Sequence, residues 1–152
     1  MPILLNKEIN IDDVADLIIE KLNAGGEVSF TPKGISMKPM LSGKDKVTVK
    51  KHSGKLKKYD LPFYKRQGTT QYIIHRVVGF DKSGSYVICG DNMILCEYGI
   101  TDSDVLGIVT GFYRNGKYHS VNDISYKLYC RYICAIRPIR RLYHRIKRKF
   151  SK

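Results

Sequence analysis

Between Gly26 and Gly116 the sequence breaks into short β-forming runs separated by turn residues, a pattern that suits strands and leaves no room for a long helix. The runs are Glu27 to Thr31, Lys46 to Lys50, Gln71 to Gly79, Tyr86 to Cys89 and Val105 to Tyr113. Asn115-Gly116 is the clearest turn, because a type I′ hairpin needs positive φ at both central residues and this dipeptide tolerates it. Ser83-Gly84 marks another. Helical spacing is confined to the two ends. From Asn10 to Asn23 the apolar residues Ile11, Val14, Ile18 and Leu22 share a face, with Asp12 and Asp13 in the first turn, Lys21 in the last and Gly25-Gly26 as a stop. This predicts an amphipathic helix packed on the body. Helical periodicity returns from about Ile124, is interrupted by Pro138 and runs to Phe150. The expected fold is therefore mainly β: an antiparallel β-sheet body with an N-terminal amphipathic helix and a C-terminal basic helix, divided into residues 1–123 and a helical tail over 124–152. At 152 residues such a body can bury a core without disulfides or a metal.

Charge is concentrated at one end. Ten of the 27 Lys and Arg lie between Lys127 and Lys152, a stretch without Asp or Glu, so it carries most of the net charge of +13. A local excess of this kind points to an anionic partner surface, lipid or nucleic acid. After Pro138, the residues Ile139, Leu142, Tyr143, Ile146 and Phe150 fall on one helical stripe, with Arg140, Arg141, Arg145, Arg148 and Lys149 on its sides and back. That is the layout of an interfacial helix and favours an anionic membrane surface. Nucleic acid fits poorly, since the stripe offers aliphatic groups in place of hydrogen-bonding ones. No 18 apolar residues run together, and the four-residue apolar run before Asn6 is too short for a signal peptide. The expectation is a cytoplasmic protein, peripheral on the inner face of the membrane. Cys89, Cys96, Cys130 and Cys134 form no CxxC pair and lack a histidine at zinc-finger spacing, so free thiols are expected, with no metal and no cofactor.

Three segments could carry chemistry. Gly34-Ile35-Ser36-Met37-Lys38-Pro39 sets a serine just after a β-run, between a glycine and a proline that fix the chain direction. A serine hydroxyl needs a base within hydrogen-bond reach to attack an amide, and histidine suits that task with its ordinary pKa of about 6.5. Of the four histidines only His75 is embedded in an apolar run, Tyr72-Ile73-Ile74-His75-Arg76-Val77-Val78. Gly90-Asp91-Asn92 follows the next run, with Glu97 six residues after Asp91. Either carboxylate could hold the imidazole in one tautomer and stabilise the imidazolium.

In order and spacing these segments resemble the signal peptidase family. Its serine box, Ser-Met-x-Pro, corresponds to Ser36-Met37-Lys38-Pro39; its strand ending in base-Arg-Val to His75-Arg76-Val77; its Gly-Asp-Asn turn to Gly90-Asp91-Asn92. Val105-Leu106-Gly107 is similar to the family's closing strand. Histidine at the base position is the pattern of the endoplasmic-reticulum and archaeal branch, where bacterial members carry lysine. The resemblance implies a serine endopeptidase with a Ser-His-acid site: Ser36 as nucleophile, His75 as base, and Glu97, or else Asp91, as the acid, with Glu97 slightly favoured. It also implies that an extended peptide or precursor protein is the substrate, bound as a strand between the run entering Ser36 and the run entering His75.

The sequence departs from the family at several points. Gly34 stands where many members carry a serine hydroxyl that helps the oxyanion hole, so backbone N–H groups must serve there. Glu97 is a methylene longer than the branch's Asp, and no spanning helix precedes the body. These departures keep open a second class, a peptide-binding or maturation module of the same fold with little or no turnover. A LexA-type repressor shares the Ser-Met motif but uses a lysine base and a preceding DNA-binding region, for which 26 residues are too few.

Overall fold

The fold is known from a computed structural model that describes residues 3–4 and 11–150. Apart from Ile3–Leu4, the expectation for the apolar run before Asn6 lies outside these residues, as do Asn10, Ser151 and Lys152. Helix α1 (Ile11–Asn23) stops where expected: Gly25 takes φ +80°, and Gly26 N–H donates 3.0 Å to the Lys21 carbonyl. Its inner face buries Ala15, Ile18 and Leu22.

The described residues form ten strands, in chain order β1 (Ile3–Leu4), β2 (Glu27–Phe30), β3 (Lys46–Lys50), β4 (Pro62–Lys65), β5 (Tyr72–Ile74), β6 (Arg76–Phe80), β7 (Tyr86–Cys89), β8 (Glu97–Ile100), β9 (Val105–Arg114) and β10 (Lys117–Ser120). The larger sheet runs β1-β2-β3-β9-β4-β5 with β10 also on β9, and a smaller sheet runs β6-β7-β8. All pairings are antiparallel except β1 with β2. The fold is thus mainly β with antiparallel sheets. Asn115 (φ +51°) and Gly116 (φ +75°) make the β9–β10 turn with both residues left-handed.

Two features differ from the sequence reading. The expected single strand over Gln71 to Gly79 is two strands in two sheets, β5 and β6, with His75 alone at the crossing. Strands that change sheets do so through a local bend, and here the bend isolates one side chain. The runs β4 and β8 were not foreseen. Pro62 argues against a central strand, yet it is the first residue of β4, where the missing N–H is tolerated. Glu97 to Ile100 carries Gly99 at φ +74°, which hides it from a propensity reading.

The C-terminal segment is not a detached tail. Helix α2 (Ile124–Ala135) buries Tyr126, Cys130 and Ile133, and the first two belong to the same core as Phe30, Val47, Phe63 and Phe112. Burying a large side chain contributes roughly 1.5–3 kcal/mol, so α2 is part of what holds the body together. Ile136 stays helical in backbone (φ −79°, ψ −8°) and leads into α3 (Arg137–Phe150).

Helix α3 meets the body with its arginines. Arg137 reaches the Met93 carbonyl at 3.0 Å, Arg140 the Asp91 carbonyl at 2.6 Å and Arg141 the Ile94 carbonyl at 3.3 Å. Its apolar stripe, Ile139, Leu142, Tyr143, Ile146 and Phe150, faces solvent, as do Ile124, Leu128 and Tyr132 of α2. Backbone carbonyls at a loop are ligands for guanidinium groups and not for methyl groups, so the loop over residues 91–96 draws in the polar face. Among the described residues no helix is long and apolar enough to cross a membrane.

Candidate active site

The Ser36 loop is fixed from below by the Gly-Asp-Asn turn. Asn92 N–H donates 2.8 Å to the Ser36 carbonyl, and Asn92 Nδ2 donates 3.2 Å to the Ile35 carbonyl. Gly34 takes φ +103°, a conformation that disfavours the serine found there in the resembled family, and the Lys38–Pro39 bond is cis. Ser36 and His75 line one cleft of about 260 Å³, together with Lys33, Met37, Leu41, Tyr72 and Ile74. Among the described residues the Ser36 N–H has no acceptor, and the Ser36 hydroxyl makes no direct hydrogen bond to His75. Such bonds are commonly loose without substrate and tighten when it binds.

His75 is 5% exposed. A Cβ placed on Gly90 would stand 2.6 Å from the Ser36 carbonyl oxygen and 3.2 Å from His75 Nε2, so Nε2 looks into the corner that holds the serine loop. The opposite ring nitrogen, Nδ1, is 3.5 Å from Glu97 Oε1 and 3.4 Å from the Tyr64 hydroxyl. Glu97 is itself held: Tyr64 donates to Oε1 at 2.9 Å, and Arg66 forks onto both oxygens at 2.7 and 3.0 Å. Partial burial works against the Glu97 charge. Hydrogen bonds with His75, Arg66 and Tyr64 outweigh it and lower its pKa to about 2, so Glu97 is a carboxylate at neutral pH. Tyr64 is pushed far up, first by burial and then by the Glu97 charge, and stays a donor.

Asp91 has a different partner. It takes a fork of two 2.7 Å bonds from Arg76, both side chains fully buried, and a 2.9 Å bond from the Tyr129 hydroxyl. Arg76 also donates to the Tyr126 hydroxyl, the Tyr59 carbonyl and Cys130 Sγ. Tyr59 is held in a left-handed conformation (φ +82°) by a 2.8 Å bond from its N–H to the Val77 carbonyl, which aims its own carbonyl at Arg76. Arg76 therefore ties the start of β6 to the Gly-Asp-Asn turn and to α2.

Of the residues singled out in the sequence, Ser36 and His75 line one cleft and Glu97 stands beside the His75 ring, whereas Asp91 is held in a separate ion pair with Arg76. Tyr64 and Arg66, which fix Glu97, were missed, because Tyr64 lies in the unforeseen strand β4 and Arg66 directly follows its end. The aromatic run Phe63-Tyr64 after Leu61 was the available signal. Strand β5 ends the path of the larger sheet, so its outer edge carries no further strand among the described residues, and the cleft runs along it. No protein-family model, curated protein or solved structure matches the chain.

Proposed function

We propose that this chain is a serine endopeptidase of the signal peptidase type, cutting an extended leader or precursor peptide with Ser36 as nucleophile, His75 as base and Glu97 as the group that orients His75. One observation carries the reading: His75 turns Nδ1 to an ionised, doubly anchored Glu97 and Nε2 toward the serine loop in a shared cleft. A substrate strand added to the open edge of β5 would set its scissile carbonyl beside Ser36. Ser36 Oγ attacks the carbonyl carbon as its proton passes to His75 Nε2, and Glu97 stabilises the imidazolium. The unpartnered Ser36 N–H is the available oxyanion donor. The imidazolium then protonates the leaving amine, and water deacylates Ser36 by the same route.

The test is covalent labelling by a fluorophosphonate, read by peptide mapping, alongside cleavage of a peptide library. Label on Ser36, lost in Ser36→Ala and His75→Ala, supports the reading; absence of label on the folded chain overturns it. Gly34, with no hydroxyl to offer the oxyanion, favours a second reading, a peptide-binding or maturation module without turnover. Peptide binding without labelling would establish that alternative.

The outward stripe of α2 and α3, flanked by Arg145, Lys147 and Lys149 and free of acidic residues, is complementary to an anionic membrane surface on the cytoplasmic side.

A further inference from the structure

Beneath α3 lies a cluster of ionisable groups that the cleft does not use. Cys89 ends β7 and Cys96 immediately precedes β8; each lies one residue beyond the Ile88–Glu97 pair that closes the ladder, so extending that register by one step brings the two cysteines to facing positions. Directly opposed residues hold their Cβ atoms about 4.5–5.5 Å apart, close to the ~3.5–4.5 Å of a disulfide, so a small closure joins them. Two arginines of α3 touch the two sulfurs: Arg137 Nη1 is 2.6 Å from Cys89 Sγ, and Arg141 Nη2 is 3.0 Å from Cys96 Sγ.

Arg137 needs an anion. Arg137 is 7% exposed, with Nε and Nη2 buried and unpartnered, and among the described residues neither Arg137 nor Arg141 meets a carboxylate. A guanidinium cannot shed its proton to escape burial, so a neighbouring group has to carry the compensating charge. The thiols at hand divide the task. A hydrogen bond from Cys89 and the charges of Arg141 and Arg137 bring Cys96 down to about 6 against the cost of burial, while that same contact and burial push Cys89 up. Cys96 is reachable, because it lines a cleft of about 540 Å³ whose wall carries Lys58, Arg131, Arg137, Arg141 and Arg145 and, among the described residues, no acidic side chain. Such a wall selects an anionic reactant.

We propose that Cys96 and Cys89 are a redox-active dithiol, oxidised to a cross-strand disulfide by an anionic low-molecular-weight disulfide admitted through the arginine-lined cleft. The Cys96 thiolate attacks one sulfur of R–S–S–R, forming a mixed disulfide and releasing R–S⁻. Cys89 then attacks Cys96 Sγ; its proton goes to the departing sulfur, which leaves as R–SH. Two electrons pass from the protein sulfurs to the reagent, which ends as two thiol equivalents. The chemistry is independent of the peptidase reading.

The experiment uses the full reduced chain with oxidised glutathione as the probe, followed by acid quench and peptide mapping by mass. The expected first product is the Cys89–Cys96 disulfide, with Cys130 and Cys134 reacting at least about tenfold more slowly, since burial raises both of those thiols. Cys89→Ser traps glutathione on Cys96, and Cys96→Ser, or Cys96→Ala where serine disturbs packing, stops the reaction. An uncharged disulfide reacts more slowly than oxidised glutathione, and added salt narrows the gap. A first crosslink elsewhere, equal rates at all four cysteines, or undiminished reaction in both Cys96 variants overturns the proposal.

Discussion

Glu97 Oε1 lies 3.5 Å from His75 Nδ1, whereas Asp91 is spent entirely on Arg76 and Tyr129. The two carboxylates that the sequence leaves as alternatives, Glu97 slightly ahead of Asp91, therefore differ in what their loss costs. Glu97→Gln keeps the volume and removes the charge that steadies the imidazolium, so cleavage should fall by about 10²- to 10⁴-fold, while the weakened Arg66 fork lowers stability by only roughly 1 kcal/mol. Asp91→Asn leaves a fully buried guanidinium without its counter-ion and should destabilise the fold by about 3–5 kcal/mol. Thermal melts and peptide turnover of both variants decide; the opposite pattern would assign the orienting role to Asp91.

Arg66 sets the acid limit of the Glu97 network. The folded-state pKa of Glu97 lies below the ordinary value of about 4.3, so its stabilising contribution is full above that pH and is lost as pH falls toward about 2. Arg66→Met removes the fork and lets the Glu97 pKa rise. The variant should be less stable at neutral pH by roughly 1 kcal/mol, the scale of a partly exposed pair, and should lose less between pH 5 and 2. Urea unfolding across that range measures it, and parallel curves for the two proteins would count against the network.

Gly90 is the contact between the serine loop and the histidine. An alanine there would place Cβ 2.6 Å from the Ser36 carbonyl oxygen, a backbone atom that must move. Overpacking of this kind costs about 1–3 kcal/mol, and the displaced loop should take up fluorophosphonate more slowly. Gly43→Ala, which meets nothing within 4 Å, is the matched control and should leave both properties unchanged.

Membrane association through α3 predicts that Leu142→Glu with Ile146→Glu weakens co-sedimentation with anionic vesicles while the melting temperature holds, because both side chains are exposed. Binding by the parent chain should fall as salt rises. Point substitutions are needed here, since deletion after Asp123 would strip Tyr126 and Cys130 from the core. Equal binding by parent and variant would assign the stripe another partner.

Local chemistry made part of this protein legible in its sequence. The stop of α1 at Gly25-Gly26, the Asn115-Gly116 hairpin and the burial of Ile18 and Leu22 each follow from spacing or backbone preference within a few residues. So do the bounds of β3 and β7. The tertiary structure decided what depends on partners far along the chain. Arg76 and Asp91 could pair only once β6 and β7 were in register, and that pairing left Glu97 as the carboxylate beside His75. The amphipathic pattern of α3 fixes that its two faces differ, but not which one turns inward. Carbonyls at the 91–96 loop met the arginines there, so the apolar stripe was left outside.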